Sequence, residues 1–141
     1  DRLVEVSLPE RDRFATVAIV EHQPTTGRLV VASAGHPPPI LRRGETAEFL
    51  AGWGQGLPLG AGGSQQYPES EAEASPGDTV VLYTDGLVER RGGDLAEQLE
   101  QLRAAVESGP ADPEELADLL VERFRPRQPF DDATLLILQL R

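Results

Sequence analysis

Cysteine, methionine and lysine are all missing from these 141 residues. Without cysteine there is no disulfide, no thiol nucleophile and no cysteine-ligated zinc. Without lysine there is no P-loop lysine, no Schiff base and no catalytic ammonium group. All thirteen basic side chains are arginine. The lack of any methionine, including at residue 1, is what a fragment or an N-terminally trimmed chain would show. No apolar run is long enough to cross a bilayer and no secretory signal opens the sequence, so a cytoplasmic setting without membrane insertion is expected. Positive charge is also scarce. The formal net charge of −11 argues against nucleic-acid or anionic-membrane partners and is compatible with cation binding.

What remains is ordinary for a folded soluble protein: 39% hydrophobic and 26% charged residues, enough for one domain with a real core. The organising stretch is Thr79-Val80-Val81-Leu82-Tyr83-Thr84-Asp85-Gly86. Its β-branched and large apolar residues predict a strand buried on both faces, which then delivers a carboxylate to a tight turn. A second apolar strand, Leu135–Leu138, follows the adjacent acids Asp131 and Asp132. If the two strands are neighbours, three carboxylates converge. Taken singly, Asp85-Gly86 reads equally as turn chemistry, and for Asp131-Asp132 a turn that initiates a strand is the simpler account.

In chain order, residues 1–12 predict a short edge strand. Phe14–Val20 and Arg28–Ala34 predict a hairpin, with His22 in the turn that leads through Gln23–Gly27. The segment Gly35-His36-Pro37-Pro38-Pro39 interrupts the pairing, and Ile40–Arg43 with Ala47–Leu50 resumes it as an antiparallel meander. Residues 51–64 form a glycine-rich loop anchored by Trp53. It lacks the helix start of a dinucleotide fingerprint. Residues 65–74 predict a solvated edge strand.

Two helices follow. Asp94 caps the first, with Glu97 in capping-box register and Leu95, Leu99, Leu102 and Val106 as the buried stripe. Asp112-Pro113 opens the second, whose inner face is Leu116, Leu119, Leu120 and Phe124, and Pro126 stops it. Strands, then helices, then a closing strand make the class α+β.

Clustered carboxylates with no thiol and almost no histidine favour hard cations such as Mn²⁺ or Mg²⁺. Aspartyl-phosphate chemistry on an Asp-x-Asp-Gly strand end would need a nucleophilic Asp where Tyr83 stands. No Gly-x-Ser-x-Gly elbow supports a serine hydrolase. His36 reads either as a base or as a loop histidine packed on proline, the second being the simpler account.

The ordered set Asp12–Thr16, Thr26–Leu29, Ala34–Pro38, Leu57–Gly60, Pro76–Asp78, Tyr83–Glu89 and Asp131–Leu136 resembles the SpoIIE-like branch of PPM-type, metal-dependent serine/threonine protein phosphatases. The match covers nearly all of this chain and about the C-terminal two-thirds of the family's domain, so the chain is expected to be a single partial domain. The resemblance implies an antiparallel β-sandwich flanked by helices and a binuclear Mn²⁺ or Mg²⁺ centre whose bridging water attacks the phosphorus directly. It implies metal ligands at Asp85 and Asp131, with Gly86 and Asp132 in support and Gly35 and His36 on a loop of the site. It also implies a phosphorylated protein substrate such as an anti-sigma-factor antagonist. An upstream sensor domain and a homodimer are compatible with it. The family's N-terminal Gly-Asp motif, source of a further ligand, has no counterpart before Phe14. A catalytically degenerate module that works by protein–protein binding is therefore the alternative.

Overall fold

The computed structural model describes residues 14–51, 56–62, 66–88, 93–124 and 132–141. The predicted strand in residues 1–12, the Trp53 anchor, the Pro126 stop and Asp131 lie outside the described residues. The chain divides into two compact units, Asp1–Pro38 with Leu50–Glu73 and Pro39–Phe49 with Ala74–Arg141.

The first unit carries the hairpin. Strand β1 (Val17–Gln23) pairs antiparallel with β2 (Arg28–Ala34), from Val17 opposite Ala34 to Gln23 opposite Arg28. The turn is narrower than the sequence suggests. The amides of Thr26 and Gly27 both donate to the Gln23 carbonyl (3.1 and 2.9 Å), which lets β1 run on to residue 23. His22 is thus a half-buried strand residue opposite Leu29, not part of the turn. The other edge of β2 is taken by β5 (Glu69–Glu73), giving the order β1-β2-β5. Leu29, Val31 and Ser33 alternate as the buried face of β2, as a two-residue period requires. Across the sheet Arg28 makes a bidentate pair with the Glu71 carboxylate. Both partners are well exposed, so the pair adds little stability.

The expected meander does not continue past β2. Gly35 takes a φ of +67°, and Pro37, Pro38 and Pro39 have no N–H to donate to a ladder. The chain leaves the sheet there. Strand β3 (Ile40–Arg43) pairs instead with β4 (Thr46–Phe49) and with β6 (Thr79–Tyr83) in a second sheet, ordered β4-β3-β6-β7. Strand β7 (Leu135–Gln139) closes it, Tyr83 standing opposite Leu135 and Val81 opposite Ile137. Strand β6 is interior, and both its Val80 and its Val81 are buried, as its apolar run predicts.

Ile40, Phe49, Val81, Tyr83, Leu135 and Ile137 share one face of this sheet, and the helices pack on that face. The single turn α1 (Asp85–Val88) contributes Leu87 and Val88. Helix α2 (Leu95–Ser108) contributes Leu99, Leu102, Ala105 and Val106, and α3 (Pro113–Phe124) contributes Leu116, Leu120 and Phe124. Leu119 is 37% exposed and is not part of the inner face. At 100° per residue it falls well away from the line through 116, 120 and 124. Both predicted caps form. Asp94 accepts the Ala96 N–H at 2.8 Å, and Asp112 accepts the Glu114 and Glu115 N–H groups at 3.0 Å each. The Glu97 carboxylate accepts from Gln101 one turn along its own helix.

Helix α2 also ties down strand β4. Arg103 donates to the Ala47 carbonyl (2.8 Å) and Glu107 accepts the Ala47 N–H (3.2 Å), while Arg103 and Glu107 pair with each other. Two side chains therefore satisfy the outward backbone groups of an edge strand that would otherwise offer them to another chain. The Arg103 guanidinium holds the Glu100 and Glu107 carboxyls below the usual carboxylate range.

Tyr83 is the anomaly of the core. Its phenol is buried, burial pushes its pKa up, and its hydroxyl has no hydrogen-bond partner among the described residues. A buried hydroxyl that forfeits its water without gaining a partner is a net cost. Tyr83→Phe is accordingly expected to leave stability unchanged or raise it by about 1 kcal/mol, read by urea unfolding. A loss of comparable size would mean that the hydroxyl is bonded after all.

Candidate functional site

The geometry of interest is where β6 ends and β7 begins. These strands are antiparallel neighbours, so the C-terminal end of one lies beside the N-terminal end of the other. Asp85 is the second residue after β6, and Asp132 lies three residues before β7. Both side chains are exposed. The next three residues hold Asp85 at the surface: Gly86, Leu87 and Val88 are all buried, so the turn is fixed from below and only its first side chain faces solvent. The Gly86 N–H donates to Asp85 Oδ1 at 2.9 Å. The Asp-Gly pair therefore opens a helical turn, where the sequence alone suggests a simple tight turn.

Thr84 joins the two strand ends. Its N–H donates to the Thr134 carbonyl (3.0 Å), and its Oγ1 accepts the Thr134 N–H (2.8 Å). The sequence offered no sign of this use of Thr84, because its partners are about fifty residues further on.

The structure thus brings Asp85 and Asp132 to one end of one sheet. Asp131, immediately before Asp132, lies outside the described residues. Gly35 and His36 belong to the other compact unit. There Gly35 approaches Pro58 so closely that an added Cβ would stand 2.7 Å from the proline ring. His36 Nδ1 lies 3.2 Å from Thr16 Oγ1, and the His36 N–H donates to Ser33 Oγ (3.2 Å), which donates in turn to the His36 carbonyl (3.0 Å). These bonds make His36 a well-anchored loop residue beside buried prolines.

As a test of cation chemistry, the donors at the β6–β7 end are carboxylate oxygens, the ligand type that hard divalent ions prefer. Among the described residues no group of three or more His, Asp or Glu side chains is arranged to hold a metal ion. The donor type fits, and the described set is partial.

Comparison with known proteins decides the family. The profile of the family described as Stage II sporulation protein E (SpoIIE) matches residues 1–141. The chain belongs to the SpoIIE family.

Its fold agrees. The SpoIIE-family chain is similar to the crystal structure of the RsbU and RsbW domains of a Mycobacterium tuberculosis protein, with TM-score 0.80 and 29% identity over 99% of this chain and 39% of that one. It is similar to the phosphatase domain of SpoIIE from Bacillus subtilis, presoaked with Mn, with TM-score 0.70 and 19% identity over 99% of this chain and 61% of that one. It also resembles RsbX in complex with magnesium, with TM-score 0.66 and 21% identity over 99% of this chain and 70% of that one. The chain therefore spans about two-fifths to three-fifths of the first two of these relatives. The α+β architecture, with its two antiparallel sheets and helices, is that of a PP2C-type (PPM) phosphatase domain of the SpoIIE-like branch.

Proposed function

We propose that residues 1–141 are one partial domain of a metal-dependent serine/threonine protein phosphatase, and that it acts on a phosphorylated regulatory protein such as an anti-sigma-factor antagonist. The observation that supports the reading is the adjacency of the β6 and β7 ends, with Asp85 and Asp132 both near one end of one sheet. In this reading Asp85 and Asp131 hold Mn²⁺ or Mg²⁺, two ions in the complete domain, with Gly86 and Asp132 in support. A bound divalent ion would supply Lewis acidity toward a phosphoryl oxygen and a more acidic water. The protein's own part is orientation: buried Leu87 and Val88 keep the Asp85 carboxylate facing solvent, and Gly86 fixes one of its oxygens.

The neighbours named for RsbU and RsbW domains, and for a stressosome described as a modular system, support a protein partner; an upstream sensory segment in the parent is part of the same proposal. Among the described residues no helix is long and apolar enough to cross a membrane, which is compatible with a cytoplasmic site of action.

The test uses the full-length parent protein. Release of phosphate from a phosphoserine peptide is expected to rise with Mn²⁺ and to cease in EDTA. The alternative reading is a module of the same fold that binds a partner without chemistry. Stable binding of a partner by the parent, with no Mn²⁺-dependent hydrolysis, would establish that reading instead.

A further inference from the structure

Every polar group of Thr84 is engaged at the junction of β6, α1 and β7. Its N–H donates to Thr134 O at 3.0 Å, and its own carbonyl accepts the Leu87 N–H at 3.0 Å, the bond that closes the turn carrying Asp85. Its hydroxyl works in the other direction. Oγ1 accepts the Thr134 N–H at 2.8 Å and donates toward the Asp132 carbonyl at 3.4 Å, the longest of the set. A threonine hydroxyl has one proton and two lone pairs, so both bonds can stand together. The hydroxyl takes over from the ladder at the point where β6 bends into α1 and the Thr84 carbonyl, taken by the Leu87 N–H, no longer accepts from the facing strand. It reaches the one segment that leads Asp132 into β7.

We propose that Thr84 is a positioning residue: its hydroxyl sets the entry to β7, and the Asp132 it carries, against the turn that presents Asp85. The functional consequence rests on the phosphatase reading above, whereas the clip itself does not. Valine at 84 has the same shape without the hydroxyl, and serine keeps the hydroxyl without the methyl group.

Two measurements on the full-length protein separate the claims. The first is hydrogen exchange of the segment 132–135 in EDTA. Loss of the bond from Thr134 N–H should speed its exchange about tenfold in Thr84→Val and leave Thr84→Ser close to wild type. The second is the Mn²⁺ concentration at which the melting temperature rises halfway, because an ion held only by the folded state must raise it. That midpoint should move to about tenfold more Mn²⁺ or beyond in Thr84→Val, as for loss of a group that orients a ligand, and return in Thr84→Ser. A merely structural threonine would lower the melting temperature in EDTA and leave the midpoint where it was.

Unchanged exchange in Thr84→Val overturns the clip. Faster exchange with an unmoved midpoint overturns the positioning role. A wild type that does not respond to Mn²⁺ overturns the metal reading, while the exchange result still judges the clip. Should the valine variant not fold, Thr84→Ala serves in its place.

Discussion

Asp85→Asn is expected to abolish most Mn²⁺-dependent phosphatase activity of the full-length protein while leaving its fold intact. The change swaps one carboxylate oxygen for an amide nitrogen and removes one negative charge. The electrostatic part a divalent ion contributes to phosphoryl transfer is several kcal/mol. Forfeiting about 3 kcal/mol of it slows the reaction roughly 100-fold. Asparagine keeps an Oδ1 that can accept the Gly86 N–H, the bond seen for Asp85. Residue 85 is exposed, and the turn is anchored by Leu87 and Val88. In EDTA the unfolding free energy should therefore change by no more than about 0.5 kcal/mol, as for an ordinary surface change. Turnover of a phosphoserine peptide over a Mn²⁺ series is the measurement. Undiminished hydrolysis would remove Asp85 from the mechanism, and a lost fold would make the kinetic result a stability effect.

The second large effect concerns Gly35, where two costs coincide. Its φ of +67° is left-handed backbone, which a side chain disfavours by about 1–2 kcal/mol. An alanine methyl there would also stand 2.7 Å from Pro58 Cγ and 3.0 Å from the Pro58 nitrogen. A proline ring is not a flexible chain end that can swing aside, so overpacking adds about 1–3 kcal/mol. Gly35→Ala should then cost about 2–5 kcal/mol, or on the order of 6–15 °C in melting temperature for a chain of this size.

Gly44 supplies the control. Its φ is +56°, yet an added Cβ meets nothing within 4 Å. Gly44→Ala should show only the backbone cost of about 1–2 kcal/mol. The difference between the two variants isolates the close approach of the Gly35 loop to Pro58. Equal losses would mean that the proline shifts freely and that the loop carrying His36 is not held by it.

Local features were legible where local physics decides them. Asp94 and Asp112 cap their helices because a short carboxylate before an amphipathic run has free amides within reach. The β6 run is apolar at every position from Val80 to Tyr83, and an interior strand results. Misreadings occurred where pairing or packing, rather than local composition, decides. His22 is held in β1 by Leu29, and the turn begins later than its composition suggests. Leu119 has helical spacing but lies outside the stripe that the core covers. Strand β3 has hairpin-like neighbours on both sides, yet only β4 pairs with it locally. Its other edge goes to β6, almost forty residues on.

For the candidate site the division is similar. The Asp85-Gly86 and Asp131-Asp132 patterns stand in the sequence, and so does the family they resemble. The role of Thr84 does not, because a hydroxyl's partners are invisible until β7 is laid beside β6. Taken alone, the sequence determined the main strands and helices, the helix caps and the family. Tertiary structure alone decided which strands distant in sequence are neighbours, that Leu119 lies off the covered face, and that Asp85 and Asp132 share one sheet end. The reason is physical. Propensities and caps are settled by residues within a turn or two, whereas strand pairing is settled by which apolar faces can be buried together once the whole chain has closed.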